Sequence, residues 1–135
     1  MTEFSNWART FRCRPRRYIE PNSIDELRSL LNEINFNQSK VRVIGCAHSP
    51  SALCMSDDVL ISMKNFNRIL EIDENNKEIH CESGVLISTL NEILPRHQLS
   101  LPVQGSVSEL TIAGVISTAT HGSGENLSLS LYFRL

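Results

Sequence analysis

The spacing of hydrophobic and polar positions changes period several times along the chain. Leu27, Leu30, Leu31 and Ile34 recur at i, i+3, i+4 and i+7, the stripe of an amphipathic helix ending near Asn35. The residues just before them, Ser23-Ile-Asp-Glu26, have the form of a capping box that opens such a helix. Upstream, Arg17 to Glu20 is an extended run stopped by Pro21, because proline pushes its predecessor out of the helical region. Downstream, a polar turn over 35–39 leads into the β-branched run Val41 to Ile44. Strand, helix and strand form a βαβ unit, whose strands are expected to be parallel. Val59 to Ser62 predicts another strand, and residues 68–73 and 78–83 predict a hairpin around Glu74 to Lys77. Leu86, Leu90, Ile93 and Leu94 mark a helix stopped near Pro95. Residues 111–118 have room for one or two helical turns, whose N-terminal amides would aim at an anion.

The two ends read differently. Phe4, Trp7 and Phe11 stand at helical spacing, which predicts a short helix in a docking arm over residues 1–17. Leu127, Leu129, Leu131, Phe133 and Leu135 alternate with Ser128, Ser130, Tyr132 and Arg134, the pattern of a strand with one apolar face. With no covering layer, such a strand would expose a sheet edge and favour aggregation.

Composition narrows the function classes. With 135 residues the chain is one domain at most, and 41% hydrophobic with 21% charged residues is ordinary for a soluble globular protein. A net charge of −2 argues against nucleic acid as a bulk partner. Four cysteines in no framework spacing suggest reduced thiols in a reducing compartment. Met1-Thr-Glu-Phe-Ser-Asn-Trp7 lacks the basic-then-apolar pattern of a signal peptide, and no run approaches the ~20 apolar residues of a membrane span. Arg9, Arg12, Arg14, Arg16 and Arg17 form the one basic cluster, readable as a solvated arm or as an anion-binding interaction module.

Two stretches carry candidate chemistry. In Val41-Arg-Val-Ile-Gly-Cys-Ala-His-Ser-Pro-Ser51, a buried-type strand runs into small residues and a histidine. The amides of such a loop can converge on an anion, with His48 as the versatile side chain beside them. A loop after a strand of an open α/β sheet also lies where such sheets bind ligands. The second stretch, residues 105–124, has a single charge, Glu109, and mixes hydroxyl and small residues with Ile112, Val115 and Ile116. Its Ser106, Ser117, Thr118 and Thr120 offer hydroxyls to phosphate or another polar group. His48 has three readings: a cofactor anchor, a metal ligand or a surface histidine. A zinc site finds little support, since there is no Cys-x-x-Cys pair, and His80 and Cys81 are strand neighbours facing opposite ways. His97, after a helix, is most simply a partner of the helix dipole. Nucleophile–base pairs, paired carboxylates, a Walker loop and the Rossmann glycine pattern are all missing.

These pieces resemble the FAD-binding PCMH-type domain of the vanillyl-alcohol oxidase and para-cresol methylhydroxylase flavoenzymes. The resemblance runs from Asn6-Trp7 through Tyr18 and Pro21, Val-Arg-Val-Ile-Gly-x-x-His-Ser-Pro-Ser, Met63 to Asp73 and Glu82-Ser-Gly84, to Ser-Thr-x-Thr-His-Gly122. Its His-Ser-Pro-Ser form is similar to the sugar-1,4-lactone oxidases, those of D-arabinono- and L-gulono-1,4-lactone. The resemblance implies an α+β fold, an N-terminal βαβ subdomain with an incomplete second α+β subdomain, over residues 18–135. It implies FAD held by Gly45, Cys46, Ala47, His48, Ser49, Gly105, Ser106, Gly114, Ser117, Thr118, Thr120 and His121. His48 would be a covalent attachment point. For the full-length family it further implies oxidation of a sugar lactone by oxygen to an ascorbate-type product and hydrogen peroxide. Association with mitochondrial or ER membranes would come through regions outside this chain. The sequence reads as a piece cut short on its C-terminal side, without catalytic residues of its own and not expected to turn over lactone. A non-catalytic flavin- or phosphate-binding remnant, or a basic-arm module, are the alternatives. Three positions depart from the family. Cys46 stands for glycine or serine, and Ala47 and Ala119 stand for glycine. If Ala47 takes positive φ, its Cβ costs about 1–2 kcal/mol.

Overall fold

The computed structural model describes residues 3–123; the alternating segment 127–135 lies outside them. The chain divides into two compact units, Met1–Phe66 and Asn67–Leu135.

The first unit contains β1 (Phe4–Ser5), β2 (Arg12–Cys13), β3 (Arg17–Ile19), α1 (Ile24–Phe36), β4 (Val41–Ile44), a 3₁₀ turn (Ala52–Cys54) and β5 (Val59–Ser62). The expected parallel relation of β3 and β4 is present, but they do not touch. Strand β5 lies between them and pairs in parallel with both, Arg17 and Val41 each opposite Val59. All of β5 is buried, as befits the central strand. Alternation divides its side chains between two faces. Val59 and Ile61 pack with Leu30 and Ile34 of α1, while Leu60 packs with Ile44 and Cys13. The capping box forms: Ser23 Oγ accepts from the Glu26 amide at 3.1 Å. The Glu26 carboxylate reaches one residue further back than the motif implies, accepting from the Asn22 amide at 2.8 Å. At the other end of α1, Gln38 takes φ 52°, and the Gln38 and Ser39 amides return to the Asn35 and Ile34 carbonyls. This is a Schellman closure with a non-glycine residue in the left-handed position.

The helix expected near the N-terminus does not form. β1 and β2 pair antiparallel, with Phe4 opposite Cys13. The reason is Asn6, which is 1% exposed and closes the connection. Its amide N–H donates to the Phe11 carbonyl, its Oδ1 accepts from the Phe11 amide at 3.0 Å, and its Nδ2 donates to Thr10 Oγ1. A side chain that satisfies the backbone of its own turn competes with helix formation. Arg9 completes the turn at φ 56°.

The second unit contains β6 (Ile69–Asp73), β7 (Glu78–Cys81), α2 (Ile87–Ile93) running into a 3₁₀ turn (Leu94–His97), and α3 (Ile112–Ser117). β6 and β7 form the expected hairpin. Pro95 ends α2 as an α-helix but not the helical path, which tightens to 3₁₀ through His97. Val85, Ile87, Leu90, Leu94, Val103, Ile112 and Val115 form the core of this unit. His97 pairs with the Glu74 carboxylate, Nδ1 to Oε1 2.6 Å, rather than serving only the helix end.

Candidate functional site

The three parallel strands bring their C-terminal ends to one edge of the first unit, since Ile19 and Val43 both register with Ile61. Residues 45–49 leave β4 at that edge. The loop is held on consecutive residues by the dipeptide Asn6-Trp7. The Trp7 amide donates to the Ala47 carbonyl at 2.9 Å. The Trp7 ring stacks on the His48 imidazole, with centroids 4.6 Å apart and planes 27° apart. Asn6 Nδ2 donates to the Ser49 carbonyl at 3.1 Å. His48 is half-buried, and among the described residues neither of its ring nitrogens has a hydrogen-bond partner. Cys46 is exposed.

The strain falls where the sequence suggested. Ala47 has φ 51°, whereas no described glycine, Gly45 included, has positive φ. The left-handed kink therefore sits on a residue with a Cβ. The same edge carries Glu20, which follows β3, and Lys64, which follows β5; the two pair at 2.6 Å. The hydrogen bond from Lys64 holds the Glu20 carboxyl below its ordinary value. Asn65 Nδ2 bridges the Glu20 carbonyl and Asn22 Oδ1 at 3.2 and 3.0 Å.

In the second unit the hydroxyl-rich stretch wraps around helix ends. The α2 amides of Ile87 and Ser88 donate to the Leu110 and Ser108 carbonyls, both at 2.9 Å. The first two amides of α3 are taken the same way, Ile112 by the Val85 carbonyl at 2.8 Å and Ala113 by the Ser83 carbonyl at 3.2 Å. The expectation that this turn aims its first amides at an anion is therefore corrected: backbone carbonyls already occupy them. Ala119, at φ 49°, is the left-handed residue of a Schellman closure of α3, with the Ala119 and Thr120 amides bonded to the Ile116 and Val115 carbonyls. A glycine preference at 119 thus follows from ending a helix, with no ligand needed to explain it.

Gly105 and Gly122 serve close packing between strands of irregular chain. A Cβ on Gly105 would lie 2.9 Å from Thr120 Cγ2, and one on Gly122 would lie 2.6 Å from the Gln104 carbonyl oxygen. Gly114 has the Thr111 hydroxyl 3.0 Å from where its Cβ would be. Thr118 Oγ1 donates to the Gly114 carbonyl at 2.8 Å and lies 3.1 Å from Thr120 Oγ1. Ser106, Ser117, Thr118 and His121 are exposed, and Gly105, Gly114 and Thr120 are half-buried. His121 Nδ1 is 3.0 Å from the Gly122 carbonyl oxygen. So Gly105, Thr118 and Thr120 meet each other or their neighbours, whereas Ser106 and Ser117 do not join them.

Asn6, Trp7 and Ser83 were not among the residues singled out by chemistry. No sequence signal marks Asn6 or Trp7 as partners of the loop, because the contacts join positions about forty residues apart. Ser83 was not readable: its hydroxyl is buried and lacks a hydrogen-bond partner among the described residues. Beside it, Glu82 grips Arg68 through the Arg68 amide at 2.8 Å and the guanidinium at 2.7 Å, and the guanidinium lowers the carboxyl's pKa.

Comparison with known proteins bears on the fold and the family. The solved structures of an alkyldihydroxyacetonephosphate synthase and a solvent-stable cholesterol oxidase share the fold, with TM-scores of 0.69 and 0.72 at 21% and 22% identity. They cover 78% and 87% of this chain, which spans 21% and 23% of theirs. An L-gulonolactone oxidase of Scyliorhinus torazame is 42% identical across 90% of the chain, and one of Mus musculus is 38% identical. A D-arabinono-1,4-lactone oxidase of Kluyveromyces lactis is 39% identical across 89%. The chain spans 28%, 28% and 24% of the length of these three relatives. Residues 15–131 match the FAD binding domain family, and the chain belongs to that family.

Proposed function

We propose that the chain is the FAD-holding part of a sugar-1,4-lactone oxidase, with His48 as the point where the flavin is attached. The observation that carries this reading is the state of His48. Its imidazole is half-buried at the C-terminal edge of a parallel sheet and fixed by a stacked indole, with both ring nitrogens unengaged among the described residues. Held by stacking at the sheet edge, the imidazole keeps both nitrogens open to a ligand. The lactone oxidase names of relatives at 42% and 39% identity support the substrate class, D-arabinono- or L-gulono-1,4-lactone. An ascorbate-type product follows from that class.

The loop around His48 supports the same reading. Gly45, Cys46, Ala47 and Ser49 flank His48, and two of the loop's carbonyls are already bonded to Asn6 and Trp7, so the loop presents an ordered backbone to a ligand. On the second unit, Gly105, Ser106, Gly114, Ser117, Thr118, Thr120 and His121 supply small side chains, hydroxyls and one imidazole for polar contacts. When bound, the flavin would accept hydride from the hydroxyl-bearing lactone carbon and pass the electrons to oxygen, giving hydrogen peroxide. The chain's own share is to hold and orient. Membrane association, at mitochondria or ER, belongs to the same proposal and would rest on regions outside this chain; no described helix is long and apolar enough to cross a membrane.

Titration of the protein with FAD, followed by flavin absorbance and equilibrium dialysis, tests the reading. Saturable binding weakened by His48→Ala is the expected result. Absence of binding, or equal affinity for FAD and a nicotinamide dinucleotide, would contradict it. The alternative of a phosphate-binding remnant predicts that inorganic pyrophosphate competes fully with FAD.

A further inference from the structure

We infer that Asn6 and Trp7 are positioning residues for His48, setting where its imidazole stands for flavin attachment; the inference rests on the proposed role of His48. The three contacts are consecutive in the loop and come from two consecutive residues. The Trp7 backbone amide donates to the Ala47 carbonyl, the Trp7 ring covers the His48 ring, and the Asn6 side-chain Nδ2 donates to the Ser49 carbonyl. The histidine is thereby fixed on both sides in sequence and on one face of its ring. Asn6 is itself immobilised, being 1% exposed and bonded to Thr10 and Phe11. Trp7 is the opposite case, 70% exposed. A large apolar ring so exposed adds little to a core, and its one described ring contact is with His48. An aromatic left in solvent, stacked on an imidazole with no hydrogen-bond partner among the described residues, has a use if the imidazole must be held without occupying its nitrogens. Stacking does that, and a hydrogen bond does not.

The test uses Trp7, because its exposure lets it be replaced without opening a core, whereas Asn6→Ala is expected to unravel the β1–β2 turn. Two readouts are needed. In the protein without cofactor, NMR should find the His48 ring protons shifted upfield of those of His80, His97 and His121, by the ring current of the indole. Trp7→Ala should abolish that shift, and Trp7→Phe should keep part of it. With saturating FAD, acid-stable flavin should accumulate about two- to tenfold more slowly in Trp7→Ala, the range an aromatic pair is worth, with Trp7→Phe restoring most of the rate. The dissociation constant for FAD should move less than the attachment rate. An unshifted His48 in the unaltered protein, or an attachment rate untouched by Trp7→Ala, would overturn the inference alone. If the unaltered protein gains no acid-stable flavin at all, the role of His48 fails, and the positioning role falls with it.

Discussion

Replacing Ala47 by glycine should stabilise this protein, against the usual effect of adding glycine. Ala47 stands at φ 51° with its carbonyl bonded to the Trp7 amide, so the loop cannot relax to negative φ without breaking the clamp. An L-residue in the left-handed region is disfavoured by roughly 1–2 kcal/mol. Glycine removes that term but gives back about 0.5–1 kcal/mol of extra chain entropy in the unfolded state. The balance is a gain of about 0.5–1 kcal/mol. For a unit the size of Met1–Phe66 this corresponds to about 2–8 °C in melting temperature. Thermal and urea unfolding of the cofactor-free protein would measure it. Ala52→Gly is the control: Ala52 lies in a 3₁₀ turn and is not among the positive-φ residues, so the same change there should destabilise. FAD affinity should change less than stability, because the φ strain is already present in the cofactor-free loop. A melting temperature lowered equally by both substitutions would mean that Ala47 is not left-handed in solution.

Other expectations follow from both units. Ala119→Gly, at the Schellman position of α3, should also gain about 0.5–1 kcal/mol, read as a raised urea midpoint with unchanged slope. A lowered midpoint would mean α3 ends elsewhere. Gly122→Ala should lose about 1–3 kcal/mol, because its Cβ meets the Gln104 carbonyl at 2.6 Å and Val103 Cγ2 at 2.9 Å, and backbone cannot yield as a side chain can; wild-type stability in this variant would contradict the packing. Glu20, Asp73 and Glu82 are held below their ordinary values, by the Lys64 hydrogen bond, the Asn76 amide and the Arg68 guanidinium respectively. Depressed carboxyls contribute stability that is complete at neutral pH and lost as pH falls below about 4.5 towards their folded values. Glu82→Gln should therefore flatten the acid limb of a stability–pH curve, and an unaltered limb would count against the pairing.

Much of the fold was legible because its signals were local. The Ser23 box, the Leu30/Ile34 stripe and the hairpin around residues 74–77 each depend on residues within a few positions of one another, and each formed as read. What was not legible depended on partners distant in sequence. A βαβ pattern implies parallel strands but says nothing about a third strand, and β5 entered between the two. Phe4, Trp7 and Phe11 fit a helical period, yet their helix lost to a turn organised by one buried asparagine. At the candidate site, the resemblance flagged Ala47 as standing where the family has glycine, and the left-handed φ is found there. The clamp on it was hidden, since nothing in the sequence ties Asn6 to Ser49. The amides of α3 were misread for the same reason: the carbonyls of Ser83 and Val85 that fill them come from a separate segment.

The claim that His48 carries the flavin is tested most directly by mapping the flavin onto the polypeptide. The FAD-loaded protein would be denatured in acid, digested with trypsin and analysed by mass spectrometry, with attention to the peptide of residues 43–64. Attachment at His48 predicts a flavin adduct that survives denaturation, localises to His48 by fragmentation and disappears in His48→Ala. Complete release of flavin on denaturation, or an adduct on Cys46 or His121 instead, would contradict it.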